Sequence, residues 1–129
     1  MFNIICMLLF SMIFCHIVDD FFLQGMCLSN LKQKEWWEKN TSEEKYKYDY
    51  LAALFMHCAS WAFMIMLPLI VYSKGQLGWI YIMYPINLSI HFFVDDLKAN
   101  KRKINLIQDQ SVHLVQIVIT LVLYLVTIK

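Results

Sequence analysis

The stretch YLAALFMHCASWAFMIMLPLIVY, Tyr50–Tyr72, carries no Asp, Glu, Lys or Arg, and His57 is its one basic side chain. At 1.5 Å of rise per residue, a helix of this length covers the roughly 30 Å hydrocarbon core of a bilayer. Three further stretches have the same character: Phe2 to about Gln24, Leu77–Leu97 and Ile104–Ile128. Hydrophobic residues make up 60% of the chain and charged residues 16%, against roughly 45–50% and 25% in soluble globular domains. A soluble core of 129 residues cannot bury that excess, so the sequence predicts contact with lipid.

The fold class expected is all-α: an integral membrane bundle of four transmembrane helices, forming one domain over residues 1–129. The first connection, residues 31–49, is polar. It interleaves Trp36, Trp37, Tyr46 and Tyr48 with Lys and Glu, as an interfacial helix at headgroup level does. No basic stretch precedes the first apolar run and no small-residue cleavage site follows it, so that run reads as an uncleaved span. Net charge near +1 argues against nucleic acid as a partner. Cys6, Cys15, Cys27 and Cys58 show no metal-binding spacing and read as small hydrophobes.

Four spans put the first and third connections on one side of the membrane. That side holds Lys32, Lys34, Lys39, Lys45, Lys47, Lys98, Lys101, Arg102 and Lys103; the other holds Lys74 and Lys129. Nine basic residues against two orient the first side to the cytosol, with both termini outside.

All four histidines, His16, His57, His91 and His113, fall inside the apolar spans. Counted at 1.5 Å per residue, each lies about 10–13 Å from the cytosolic boundary. Helical spacing supplies a second coincidence. His16, Asp20 and Gln24 share one face of the first span. Tyr84, Asn87, His91, Asp95 and Lys98 form a stripe on the third, and Asp109, His113, Gln116 and Thr120 one on the fourth. The second adds His57 and Ser60. Asp19 and Asp96, one residue off these stripes, are expected to point away into solvated headgroups. The matching placement of His16/Asp20 with His91/Asp95, and of His57 with His113, suggests two hairpins related by duplication.

Ionisable side chains in hydrocarbon are expensive and normally mark a site. His16, Asp20, His57, His91, Asp95, Asp109 and His113 are the candidate metal ligands. Imidazole and carboxylate without thiolate suit a divalent ion such as Zn, Mn or Fe, and the set suffices for one ion or two. A purely structural polar network is the competing reading, but interhelical polar contacts in membranes average only about 0.6 kcal/mol.

His16-x-x-x-Asp20-Phe21-x-x-Gln24 followed by Lys32, a lone His57, His91-x-x-x-Asp95-x-x-Lys98, and Asp109-Gln110-x-x-His113 together resemble the membrane family called "domain of unknown function 3307". The resemblance covers nearly the whole chain. It implies a bacterial or phage inner-membrane setting, and it supplies no reaction. The doubled Asp19-Asp20 and Asp95-Asp96 depart from the family pattern.

Three functions are expected to compete. The first is a metal-dependent hydrolase at the inner leaflet, with Asp20 or Asp109 as general base and Lys98 steadying a phosphate; the bilayer and a lipid-like or phosphorylated small substrate are its partners. Lys98 can equally snorkel to the interface. The second is an ion, proton or small-solute path. The third is a regulatory or defence-related component, self-associating or binding a partner through Lys32–Tyr48, with a structural metal. The orientation predicts that, in a background lacking the native cysteines, cysteine at position 39 reacts with an impermeant thiol reagent only from the cytosol. Cysteine at position 74 reacts only from outside; labelling of position 74 from the cytosol alone overturns the topology.

Overall fold

The computed structural model describes residues 2–76 and 78–127; the expected span ends at Leu77 and Ile128, and Lys129, lie outside the described residues. The described residues are all-helical and contain no strand. Helix α1 (Phe2–Ile17) runs directly into a π-helical turn, Val18–Leu23. Short α2 (Gly25–Leu31) and α3 (Lys34–Asn40) and a 3-10 turn at Glu44–Tyr46 follow. Long helices α4 (Asp49–Tyr72), α5 (Ile80–Ala99) and α6 (Leu106–Thr127) complete the chain. Helix α4 is flanked by α1 and α5, and α6 closes the bundle against α5 and α1.

Three helical stretches are long and apolar enough to cross a membrane by length and composition: Phe2–Leu23, Glu44–Tyr72 and Leu106–Thr127. Helix α5, expected as the third span, is not among them. Asp95, Asp96 and Lys98 fall in its last turns. The outer faces carry exposed Phe10, Phe14, Phe63, Val115, Ile119 and Val126, so the bundle's apolar residues are not confined to its core.

The connection at residues 31–49 differs from the expected single interfacial helix. Gln33 (ψ 121°) and Thr41 (ψ 144°) are extended and split it into short pieces. Helix α6 starts at Leu106, not Ile104, because Asn105 and Gln108 cap it reciprocally. The Gln108 N–H donates to Asn105 Oδ1 (2.9 Å) and the Asn105 N–H to Gln108 Oε1 (3.0 Å), which fixes the first turn there.

The bundle has two layers. Met12, Trp61, Ile65, Leu69, Ile117 and Leu121 belong to an apolar core. Below them, toward the α2–α3 end, the buried residues are ionisable: His16, Asp19, His57, His91, Asp95, Asp109 and His113. Between α1 and α2 the chain turns at Gly25, whose φ of +56° lies in the left-handed region that only glycine enters freely. A Cβ at Gly25 or at Gly78 meets nothing within 4 Å, so strain at Gly25 is purely backbone. Gly25→Ala is therefore expected to destabilise the protein by about 1–2 kcal/mol in denaturant titrations in micelles, with Gly78→Ala near neutral. Equal effects at both positions contradict this account of the turn.

Candidate functional site

The π-turn follows directly on α1. Asp19 and Asp20 follow His16 by three and four residues, so both start from its face of the helix. Here the Gln24 N–H reaches back five residues to the Asp19 carbonyl (3.0 Å), a widened turn of the kind frequent at functional sites. Both carboxylates enter the bundle. Asp19 is 1% exposed and accepts a 2.5 Å hydrogen bond from Ser60 Oγ. Asp20 Oδ1 faces His57 Nε2 at 3.4 Å. The expectation that Asp19 is solvated is thus corrected: it follows His16 by three residues and shares the buried face. Asp96 does point away, accepting from Lys101 (2.9 Å) and Asn100 (3.0 Å).

Three imidazoles form a string. His91 Nε2 lies 3.2 Å from His57 Nε2, and His91 Nδ1 lies 3.2 Å from His113 Nδ1. A carboxylate stands at each end, Asp19 Oδ2 3.9 Å from His57 Nδ1 and Asp109 Oδ1 3.2 Å from His113 Nε2. Trp61 lies flat on His91, with centroids 4.1 Å apart and planes 3° from parallel, and holds the middle ring against rotation.

His16 sits beside the string. Its Nδ1 accepts from Trp61 Nε1 (2.8 Å), so its proton is on Nε2, which donates to Gln110 Oε1 (3.0 Å). Gln110 then presents its amide hydrogens to Asp20 Oδ2 (2.9 Å) and Asp109 Oδ2 (3.1 Å). Both ring nitrogens of His16 are engaged, and the residue acts through Gln110 to bring two carboxylates together.

Two lysines close the α2–α3 end of the cluster. Lys32, at the end of α2, is 6% exposed and donates to Asp95 Oδ2 at 2.6 Å. Lys98, one turn from Asp95 on α5, donates to Asp109 Oδ2 at 2.6 Å, with 31% of its side chain exposed. The α2–α3 connection is tied over the site through Asn100, which accepts from the Lys34 N–H (2.8 Å) and donates to the Lys32 carbonyl (3.3 Å). Arg102 pairs with Glu35 beside it.

Among the described residues, three sets of ligand atoms lie mutually within 4.8 Å: Asp20, His57 and His91; Asp20, Asp109 and His113; and Cys58, His91 and Asp95. Around His57 Nε2 stand His91 Nε2 (3.2 Å), Asp20 Oδ1 (3.4 Å) and Asp95 Oδ2 (3.6 Å). Ligand bonds of about 2.0–2.2 Å in tetrahedral geometry put ligand atoms about 3.3–3.6 Å apart. The model of a family described as "Protein of unknown function (DUF3307)" matches residues 8–129. The chain belongs to this family. No curated protein and no solved structure matches it.

In this DUF3307 chain the structure brings together His16, Asp20, His57, His91, Asp95, Asp109 and His113, with His16 outside the three ligand sets. Sequence reasoning missed Lys32, Trp61 and Gln110 as members of the site. Lys32 reads as one of nine cytosolic basic residues and Trp61 as one more apolar side chain in a span. The Asp109-Gln110 pair, and Lys32 following the first motif, are the signals available for the other two.

Removing one partner of a buried pair costs about 3–5 kcal/mol, because the other charge stays buried and uncompensated. Lys32→Met and Asp95→Asn are each expected to cost this much in micelle unfolding, and the double variant far less than their sum. Additive losses contradict the pairing.

Proposed function

We propose that this chain is an integral membrane protein of four spans, with α5 as the third and both termini outside a bacterial inner membrane. Its His/Asp cluster holds a divalent metal near the cytosolic face and hydrolyses a phosphorylated or lipid-like substrate. The observation that carries the reading is charge. Asp19, Asp20, Asp95 and Asp109 are four carboxylates within one cluster, and Lys32 and Lys98 supply two compensating charges. With all four carboxylates ionised and the imidazoles neutral, two negative charges are left, which one divalent cation balances. Uncompensated charge in an apolar interior is costly enough that groups change protonation to avoid it.

The donor set fits such an ion. Asp109 Oδ1 is buried without a hydrogen-bond partner, 3.2 Å from His113 Nε2, an arrangement suited to two ligands aimed at one centre. Zn, Mn and Fe accept imidazole and carboxylate together. A bound ion supplies Lewis acidity and a water acidified toward neutrality. The chain's own residues do the rest: Asp20 or Asp109 accepts the proton, and Gln110 holds the two carboxylates in place. Lys98, the most exposed of the paired groups, stands where an anionic headgroup meets the cluster and can exchange Asp109 for phosphate. The apolar outer faces favour an amphiphilic substrate arriving from the bilayer.

The string Asp19–His57–His91–His113–Asp109 favours a second reading, a proton or ion path, since adjacent neutral imidazoles pass a proton by exchanging donor and acceptor roles. Elemental analysis separates the two. Wild-type protein purified in mild detergent without chelator is expected to hold about one divalent ion per chain. Asp20→Asn should lose it and lower phosphate release from lipid phosphates about 100-fold or more, with insertion unchanged. Wild-type protein without stoichiometric metal removes the hydrolase reading and leaves the relay.

A further inference from the structure

The hydrogen-bond directions along the imidazole string constrain how a metal can occupy the cluster. A neutral imidazole has one N–H and one lone pair, and a ring nitrogen that binds a cation must present the lone pair. A ligating histidine therefore carries its proton on the other nitrogen, where it needs an acceptor.

An ion on Asp20, His57 and His91, taken through the two Nε2 atoms that lie 3.2 Å apart, puts the His91 proton on Nδ1. Nδ1 is 3.2 Å from His113 Nδ1, which must then accept, so the His113 proton sits on Nε2. There it faces Asp109 Oδ1 at 3.2 Å. Nε2 of His113 then carries a proton and is closed to a second ion. An ion on Asp20, Asp109 and His113 reverses the string. Nδ1 of His113 donates to Nδ1 of His91, and the His91 proton moves to Nε2, facing His57 Nε2. Nε2 of His91, now protonated, closes the first position. Both positions filled at once would set two N–H groups against each other across 3.2 Å, with Trp61 stacked on the ring that would have to turn.

We infer that the cluster holds one divalent cation at a time, at either of two mutually exclusive positions that share Asp20, and that exchange between them reverses the His91–His113 hydrogen bond. This rests on the metal-centre reading above and goes beyond it. The single ion agrees with the two uncompensated negative charges. Proton bookkeeping closes as well. When the cation moves from the His57/His91 position to the Asp109/His113 position, Nε2 of His113 releases a proton to water and Nε2 of His91 takes one from water, so the exchange is proton-neutral. One proton crosses the His91–His113 bond from Nδ1 to Nδ1. Each ring carries one proton in both states, and the proton on the His91–His113 bond moves in the same direction as the cation.

The third ligand set, Cys58, His91 and Asp95, lacks Asp20, and its carboxylate already accepts from Lys32 at 2.6 Å. It shares His91 and so competes with the first position instead of adding to it.

The test is metal stoichiometry on the full chain in detergent, with Zn2+ for elemental analysis and Mn2+ for electron paramagnetic resonance. Wild type should saturate at one ion per chain in excess metal, and Mn2+ should give the hyperfine pattern of isolated ions. His57→Ala and His113→Ala should each still bind one ion, since each leaves one position intact, and the double variant, made with Cys58→Ala to remove the third ligand set, should bind none. Two ions per chain in wild type, or an exchange-coupled Mn2+ pair, overturns mutual exclusion without touching the metal-centre reading; this measurement needs no variant. Loss of the ion in either single variant leaves one position and overturns the two-position account, as does an ion retained by the double variant. No ion in wild type overturns the metal centre and this inference together.

Discussion

A carboxylate inside an apolar helical bundle has to be given a partner, and much of this structure is arranged to satisfy that requirement four times. Asp19 receives a hydroxyl from α4, Asp20 an amide from α6, Asp95 the ammonium of Lys32, and Asp109 that of Lys98 together with the Gln110 amide. Each partner comes from a different element than the carboxylate it serves, apart from Gln110 beside Asp109, so satisfying the charges also fixes the packing of helices. The α2–α3 connection has a clear physical role here. It returns Lys32 to the bundle, and Asn100 fastens it from the far end of α5.

The apolar layer above the cluster strengthens these interactions. Trp61, Met12, Ile65 and Ile117 are fully buried and keep water from the imidazoles on that side. In such surroundings charge pairs interact more strongly than at a surface, and unpaired ones are correspondingly more costly. Trp61 does two things at once: its ring face packs on His91 and its N–H sets the tautomer of His16. His16 through Gln110 is thereby coupled to the orientation of Asp20 and Asp109.

Much of this was legible in the sequence because hydrophobic length and helical period are one-dimensional signals. Tyr50–Tyr72 is matched by Asp49–Tyr72, and the α5 stripe of Asn87, His91 and Asp95 is the buried face of that helix. The meeting of four histidines followed from counting depth along straight helices. The failures occur where the backbone leaves the ideal period or where a residue type has two uses. Asp19 reads as solvated when the i, i+4 pair His16/Asp20 alone defines the face, although i+3 from His16 lies there too, and no residue between Val18 and Leu23 announces a π-turn. Lys32 reads as surface charge because the extended residue at Gln33, which follows the end of α2 and caps α3, has no strong signature. The Gln110 role needed the third dimension: it lies off the α6 stripe, and its partners come from α1 and from its own neighbour.

The most direct measurement of the central claim, that four buried carboxylates and three linked imidazoles are completed by a cation, is anomalous diffraction at the zinc absorption edge from crystals of the full chain grown with zinc. The account predicts one peak per chain, or one shared between two partial positions. It should be bonded to Asp20 and to ring nitrogens of the His57–His91–His113 string at about 2.0–2.1 Å. An ordered cluster with no peak, or a peak that does not touch Asp20, contradicts it.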